Sequence, residues 1–375
     1  MRVDGNPELH QAIRRELEAA GGQIAFERFM ELALYHPQHG YYTAGRERIG
    51  RRGDYFTSVS VGSMFGRLLA KQFLSYREEL GNPSEFEVVE FGGQRGRLRS
   101  DVLAAAPDLR YRIIETCDPL PDSVIGCVFS NEFLDALPVH LVQVKDGTWQ
   151  EVYVVGQAAR LPPSPRPPCN QSSTAASEAL ALHEVLGPLS TPRLAEYLHD
   201  LPAVYMEGYR TEVNLRALDW LADVARRLKR GWIVTIDYGY ERHEYFAPHR
   251  RDGTLLCYRQ HTRSANPYAH IGEQDITAHV EFTSLIEHGR KLGLEPVLFS
   301  NQSRYLLQIG DSEIAGIVKR TAGQPSKERA AIQQLIHPEM MGTTFKVLVQ
   351  RKRSCYPPVA APKATRTCRL GIPPR

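Results

Sequence analysis

The sequence predicts an α/β fold built on an open parallel sheet, and three observations carry that prediction. Short apolar runs at Phe86–Phe91, Tyr111–Ile114 and Ile125–Phe129 are spaced as strands, with a helical pattern at Leu98–Ala106 between the first two. Strand, helix, strand at this spacing is the unit of a parallel sheet. The first run ends in Glu90 and passes into Gly92-Gly93-Gln94-Arg95-Gly96, a glycine-rich turn that opens the helix. Farther on, Trp232–Asp237 reads as a fully apolar strand that also ends in an acid.

Taken in order, residues 7–35 are helical in pattern, with Leu9, Ile13 and Leu17 on one stripe and Phe26, Phe29, Met30 and Leu34 on another. Pro37 and Gly40 end that run, and a loop rich in Gly, Arg and Tyr fills 36–58. An apolar helix follows through Met64, Phe65, Leu68, Leu69, Phe73 and Leu74, so residues 1–80 read as a helical preface to an α/β domain over 81–350. Within that domain Trp149–Val155 alternates like an added strand, Leu215–Leu228 is amphipathic, and Phe282–Leu292 is a helix. The runs Glu295–Phe299 and Thr344–Gln350 then fit a closing antiparallel edge. Residues 158–177 carry five prolines (Pro162, Pro163, Pro165, Pro167 and Pro168) among Ser, Thr and Ala, a composition expected of a disordered insertion. The tail 351–375 repeats it with Lys and Arg, and no fixed structure is expected there.

Composition narrows the function. The net charge is +3 over 375 residues with acids and bases mixed, so no electrostatic footprint for nucleic acid is expected. Six cysteines lie far apart without paired spacing, which suits free thiols in a reducing compartment rather than a disulfide framework or zinc site. The thirteen histidines show no metal-binding spacing, so no metal is expected. The N-terminus lacks an apolar signal region, and no stretch approaches the roughly 18 apolar residues of a membrane span. Asp4 and Glu8 argue against an organellar transit peptide, so a bacterial cytoplasm is expected.

Three clusters offer chemistry. Gly92, Gly93 and Gly96 let the backbone turn sharply and approach a ligand, and the following helix offers unpaired N–H groups to a carboxylate or phosphate. Glu90 either receives an ammonium or organises the loop, and Glu115, about 20 residues past the glycines, stands where an acid accepts ribose hydroxyls. The plain alternatives are a tight turn and a solvated strand end. The second cluster, Asn131-Glu132-Phe133-Leu134-Asp135-Ala136-Leu137-Pro138, sets Asn131 and two carboxylates at a strand's C-terminal end; a helix cap would account for Asn131 alone. The third, Gly53-Asp54-Tyr55-Phe56-Thr57-Ser58, precedes the apolar helix, and Thr57 or Ser58 reads equally as its N-cap or as a ligand contact. Asp275 or Thr277 reads as a cap of the helix near Phe282.

The ordered series Phe29-Met30, Ala33-Leu34-Tyr35-His36-Pro37, Gly40-Tyr41-Tyr42, Gly53-Asp54-Tyr55-Phe56-Thr57-Ser58, Glu90 with Gly92, Asn131-Glu132 with Asp135-Ala136-Leu137-Pro138, Ile236-Asp237-Tyr238-Gly239 and Asp275-Ile276-Thr277 with His279 resembles the MidA-like family. That family contains S-adenosylmethionine-dependent methyltransferases, and its mitochondrial members symmetrically dimethylate an arginine on a core subunit of respiratory complex I. The resemblance implies a Rossmann-like class I methyltransferase sheet, in strand order 3-2-1-4-5-7-6, with S-adenosyl-L-methionine as cofactor and a protein as substrate. It also implies that Glu90, Gly92, Gly93, Gly96, Glu115, Asn131, Asp54, Thr57 and Ser58 serve the cofactor. Glu132 and Asp135 would then hold the arginine, with Glu212 as a weaker third. The chain departs from the pattern at Gln94, where a glycine is usual, and at Val59-Ser60, where members carry a carboxylate. The path Thr116–Val124 is also too short for the usual edge strand, so strand three is expected to be missing. Those departures motivate the alternative of a catalytically impaired assembly or binding factor on the same fold.

Overall fold

The computed structural model describes residues 5–44, 58–93, 96–115, 118–158, 180–201 and 205–353. In chain order the elements are α1 (Pro7–Ala19), β1 (Gln23–Ala25), α2 (Phe26–Tyr35), α3 (Met64–Glu79), β2 (Glu87–Phe91), α4 (Arg97–Ala105), β3 (Arg110–Ile114) and β4 (Val124–Asn131). Then come β5 (His140–Lys145), β6 (Thr148–Ala158), β7 (Leu180–Gly187), α5 (Pro192–His199), β8 (Arg210–Val213), α6 (Leu215–Arg227), β9 (Leu228–Tyr240) and α7 (Arg242–Tyr245). The last third holds β10 (Leu256–Arg259), β11 (Thr262–Ser264), β12 (Asp275–Thr277), β13 (Val280–Glu281), α8 (Phe282–Lys291), β14 (Glu295–Asn301), α9 (Gln302–Arg320), α10 (Lys327–Ile336) and β15 (Phe345–Lys352).

The main sheet runs β14-β15-β9-β4-β2-β3, with β13 joined to β9. Its β3, β2, β4 and β9 are parallel, while β15 and β14 close it antiparallel, as the two late β-rich runs anticipated. This is the expected methyltransferase order without its third strand: β3 passes to β4 without an intervening helix and strand, leaving β3 at the edge.

Both faces of the sheet are buried, and period-two alternation sends neighbours to opposite cores. On one face Cys127, Phe129, Trp232, Val234, Val347 and Val349 meet Phe65, Leu69 and Phe73 of α3 together with α4, α9 and α10. On the other Val89, Val128, Ile233 and Leu348 meet Leu221 and Val224 of α6 and Phe282 and Leu285 of α8. Each large apolar side chain so buried contributes roughly 1.5–3 kcal/mol, which keeps the strand ends rigid under the site.

Strands β5 to β8, which lie between β4 and α6, form with β1 a second, antiparallel sheet in the order β1-β6-β5-β8 with β7 paired to β6. The chain's first helices belong to its core: Leu9, Ile13, Phe26, Phe29 and Met30 pack with Leu141, Val152 and Val154, and with Cys257 and Ile276 of the small β11-β10-β12 sheet. The continuous helical pattern over 7–35 is thus broken. Gly21 and Gly22 take φ of 77° and 103° and end α1, and Gln23–Ala25 pairs with β6 before α2 begins. The preface therefore divides, with α1 and α2 in one core and α3 in the other. The segment expected to be a disordered insertion lies outside the described residues from 159 to 179, as does the tail from 354; Arg351 and Lys352 belong to β15.

Candidate active site

Register brings the motifs to one edge of the sheet. Phe91 pairs with Ile114 on one side and Ser130 on the other, and Asn131 pairs with Ile236, so the C-terminal ends of β3, β2, β4 and β9 stand side by side. Glu115 and Gly92 follow β3 and β2, Asn131 closes β4 with Glu132 next, and Asp237 lies near the end of β9. Ligands of open α/β sheets bind along this edge.

At the turn after β2, Gly92 and Gly96 have φ of 68° and 69°. The Gly92 N–H donates to the Ile114 carbonyl at 3.0 Å and the Gly96 N–H to the Gly93 carbonyl at 3.0 Å. A Cβ on Gly93 would lie 2.8 Å from the Glu90 carboxyl, and one on Gly92 would lie 2.9 Å from the Phe133 ring. The turn therefore requires glycine at both positions, and α4 begins without a side-chain cap hydrogen bond among the described residues.

Glu90 lies beneath this turn, almost fully buried, and accepts from the Tyr111 hydroxyl at 2.9 Å. Burial pushes its pKa up to about 7, against the pull of the Tyr111 bond and with a further push from Glu115. Glu115 closes a short turn, its N–H donating to the Asp118 carboxylate at 2.8 Å and its carbonyl accepting from the Asp118 N–H.

The loop after β4 carries the acids. Glu132 adopts φ of 52°, a left-handed conformation that costs a non-glycine residue roughly 1–2 kcal/mol. Its N–H donates to the Ile236 carbonyl at 2.9 Å, and its Oε1 accepts from the Asn131 amide at 2.9 Å and the Ser58 N–H at 3.1 Å. Asp237, fully buried, organises the whole turn: its Oδ2 accepts from the N–H groups of Phe133, Leu134 and Asp135, and its Oδ1 from Tyr238. Asp135 is buried, and its carbonyl accepts from the Ala278 N–H at 2.9 Å. Asp275 on β12 is also buried, with the Tyr42 hydroxyl 2.8 and 2.9 Å from its two oxygens.

Burial and mutual repulsion hold these carboxyls upward. Glu132 is pushed to about 8 by burial, then by the charges of Asp237 and Asp275; Asp237 rises to about 7, chiefly by burial. Asp135 is driven well above the carboxylate range by burial and then by Asp237, Asp275 and Glu132. Among the described residues no Lys or Arg forms an ion pair with Glu132, Asp135 or Asp237. A buried excess of negative charge without its own counter-ion is a site that favours a cation.

Most residues expected from the sequence meet here: Glu90, Gly92, Gly93, Gly96, Glu115, Asn131, Glu132 and Asp135 all leave or underlie one sheet edge. Ser58 reaches it through its backbone, whereas its hydroxyl donates to Gln302 Oε1 at 3.1 Å. Ser58 does not cap α3, which starts after Ser63. Asp54 and Thr57 lie outside the described residues, as does Gln94. Glu212 is occupied elsewhere, accepting from the Thr254 N–H and hydroxyl, the Leu255 N–H and the Tyr245 hydroxyl. Asp275 and Thr277 do not cap α8; Glu281 does, accepting from the Thr283 and Ser284 N–H groups at 2.7 and 3.0 Å. Asp237, Tyr42 and Asp275 are the parts of the site that sequence reasoning did not place there. Only the acid ending the β9 run carried a usable signal, since parallel strands end at the ligand edge.

The Gly92–Gly93 cradle, the uncapped start of α4 and the buried Asn131 Oδ1, which has no partner among the described residues, fit the amino-acid end of S-adenosyl-L-methionine. Residues 108–300, just over half the chain, match the family model for S-adenosyl-L-methionine-dependent methyltransferases. A crystal structure of a Burkholderia thailandensis protein bound to S-adenosyl-homocysteine superposes with a TM-score of 0.80 at 30% identity, covering 92% of each chain. Among curated proteins, the mitochondrial protein arginine methyltransferase NDUFAF7 homolog of Drosophila melanogaster is 25% identical over 90% of this chain and 84% of its own length. The human NDUFAF7 is 23% identical over 86% and 79%. Fold, cradle and these likenesses agree, and the chain belongs to the MidA-like family of S-adenosyl-L-methionine-dependent methyltransferases.

Proposed function

We propose that this chain methylates an arginine side chain of a protein. The observation that carries this reading is the acid loop: Glu132, Asp135 and Asp237 crowd together with no cation of their own among the described residues, beside the methyl-donor turn. A guanidinium stays protonated in proteins and presents a planar fork of donors, so it matches such a site better than a neutral nucleophile.

S-adenosyl-L-methionine, when bound, supplies an electrophilic methyl group. Gly92, Gly93, Gly96 and the start of α4 would hold its amino-acid end, Asn131 Oδ1 would accept from its ammonium, and Glu115 would take the ribose. Glu132, fixed by Asn131 and Ser58, orients the guanidinium so that one nitrogen faces the donor. As the methyl group would pass from sulfur to that nitrogen, with S-adenosyl-homocysteine as the leaving product, the proton freed from the nitrogen would go to Asp135 in its carboxylate form, whose raised proton affinity suits it as the acceptor. Asp237 acts at one remove by holding the loop's N–H groups in place. Fixing two reactants in line and balancing their charge supplies most of the acceleration such a reaction needs.

Two features of the relatives extend the reading. The curated arginine methyltransferases support a protein substrate, and a subunit of respiratory complex I type is the first to test. No described helix is long and apolar enough to cross a membrane, and we place the protein in a bacterial cytoplasm. Incubation of the purified chain with labelled S-adenosyl-L-methionine and candidate substrate subunits tests this. Label on arginine that disappears in Glu132→Ala supports the reading, and label on any other residue type removes it.

A further inference from the structure

We propose that the Tyr258 ring is the platform that receives the guanidinium of the substrate arginine, and that Arg263 occupies this platform until the substrate displaces it. The inference rests on the arginine reading above and deepens it. Strand pairing sets Tyr258 at the centre of a row across the β11-β10-β12 sheet, with Arg263 opposite it on β11 and Asp275 opposite it on β12. Such cross-strand partners share one face of a sheet. The neighbouring pair, Cys257 and Ile276, turns the other way into the core shared with α1 and α2, so the Tyr258 row faces away from that core. Three residues past Asp275 the Ala278 N–H donates to the Asp135 carbonyl at 2.9 Å, which pins this small sheet against the acid loop. Burial raises the pKa of the Tyr258 hydroxyl, Arg263 lowers it and Asp135 raises it again, so the ring lies within the field of that loop.

The platform is held firmly from behind. Glu212 accepts from the Thr254 N–H, the Thr254 hydroxyl and the Leu255 N–H, immediately before β10. The Thr254 hydroxyl oxygen in turn accepts from the His279 N–H at 3.0 Å, just past β12, so the strands that carry Tyr258 and Asp275 are tied at one corner. What lies over the half-buried Tyr258 ring is loosely held. The Arg263 guanidinium carbon stands 5.8 Å from the ring centroid, and Arg263 is exposed with no ion pair among the described residues. Elsewhere in the chain the same pairing is tight, with the Arg250 guanidinium carbon 3.8 Å from the Tyr240 centroid. An exposed cation over a ring gains little, whereas a cation desolvated beside a carboxylate gains more. Exchange therefore favours an incoming arginine, whose fork meets the acid loop while its plane lies on the ring that Arg263 leaves.

The test is calorimetric titration of the S-adenosyl-homocysteine-saturated full chain with the tripeptide Gly-Arg-Gly, after affinity for S-adenosyl-homocysteine has been measured on each variant. Tyr258→Leu, which removes the aromatic face, should weaken peptide binding about tenfold, and Tyr258→Phe, which keeps it, should stay within about twofold of the wild type. Arg263→Gln should tighten peptide binding about threefold, because the competing guanidinium is gone. Affinity for S-adenosyl-homocysteine should change less than about twofold throughout. Arg263 is exposed, so its substitution keeps the test open should Tyr258→Leu fold poorly, and unchanged or weaker peptide binding in Arg263→Gln overturns the inference. Loss of the peptide in Tyr258→Phe would assign the contact to the hydroxyl and overturn the platform. If Tyr258→Leu binds the peptide as the wild type does while Glu132→Gln loses it, the acid-loop reading stands and this inference falls. Loss of S-adenosyl-homocysteine binding in Tyr258→Leu would give Tyr258 a structural role and overturn the inference as well. A wild type that binds S-adenosyl-homocysteine but not the peptide would overturn both.

Discussion

The glycine turn and the acid loop occupy neighbouring positions on one sheet edge but are built in opposite ways. The turn comes from five consecutive residues, 92–96, and its described part offers backbone: the absence of a Cβ at Gly92 and Gly93 lets it pack tightly against Phe133 and Glu90, and the Glu90 carboxyl is tucked underneath. The acid loop offers side chains and draws them from separate stretches, with Glu132 and Asp135 after β4, Asp237 in β9, Asp275 in β12 and Tyr42 after α2. The contrast follows from their tasks. A cofactor common to many enzymes can be held by backbone N–H groups that any sequence supplies, whereas a cation must be met by carboxylates whose burial is unfavourable until it arrives.

The largest effect that would break the comparison is expected at Asp237. Asp237→Ala leaves the Phe133, Leu134 and Asp135 N–H groups without their acceptor, and at about 1–3 kcal/mol for each unsatisfied donor the fold should lose at least about 3 kcal/mol in chemical denaturation. Next, Glu132→Gln should lower kcat by about 10²–10³ while S-adenosyl-homocysteine still binds, because the residue serves the substrate and not the turn. Gly93→Ala should do the reverse. Its Cβ would meet the Glu90 carboxyl at 2.8 Å, so S-adenosyl-homocysteine affinity should fall about tenfold with a stability loss of about 1–3 kcal/mol.

A pH series sharpens the contrast further. Glu132 ordinarily titrates near 4.5 and is raised to about 8 in the folded chain, so between those values the folded state holds a proton that the unfolded state has released. Stability contributed by that protonated carboxyl is present below the unfolded value and is lost as pH rises through the folded one. Thermal unfolding of the ligand-free chain should therefore show falling stability from about pH 4.5 to pH 8, with a flatter profile in Glu132→Gln. The smallest effect belongs to the turn's support: Tyr111→Phe removes one hydrogen bond to Glu90 and should cost about 1 kcal/mol.

The difference between the two regions also explains what could be read from the chain alone. The glycine turn and the Asn131–Pro138 run were legible because their parts are contiguous and sit at the ends of apolar runs that can only be strands. The missing edge strand was legible from the nine residues between Glu115 and Ile125. The second sheet was not, apart from β6: β8 has only four residues, β7 is half-exposed without a buried face, and β1, which pairs with β6, is a three-residue strand hidden between two helical stretches. Asp275 resembled a helix cap because helix caps and site acids share the same local pattern, an acid shortly before an apolar run. Only the pairing of β12 with β10 and the reach of Tyr42 across the chain distinguish the two.

Mass spectrometry of a soluble protein extract from cells lacking this gene, incubated with the purified chain and S-adenosyl-L-methionine, tests the central claim most directly. Arginine residues should gain methyl groups with the wild-type chain and not with Glu132→Gln. Methyl groups on other residue types alone, or identical arginine methylation by the wild type and Glu132→Gln, would contradict it.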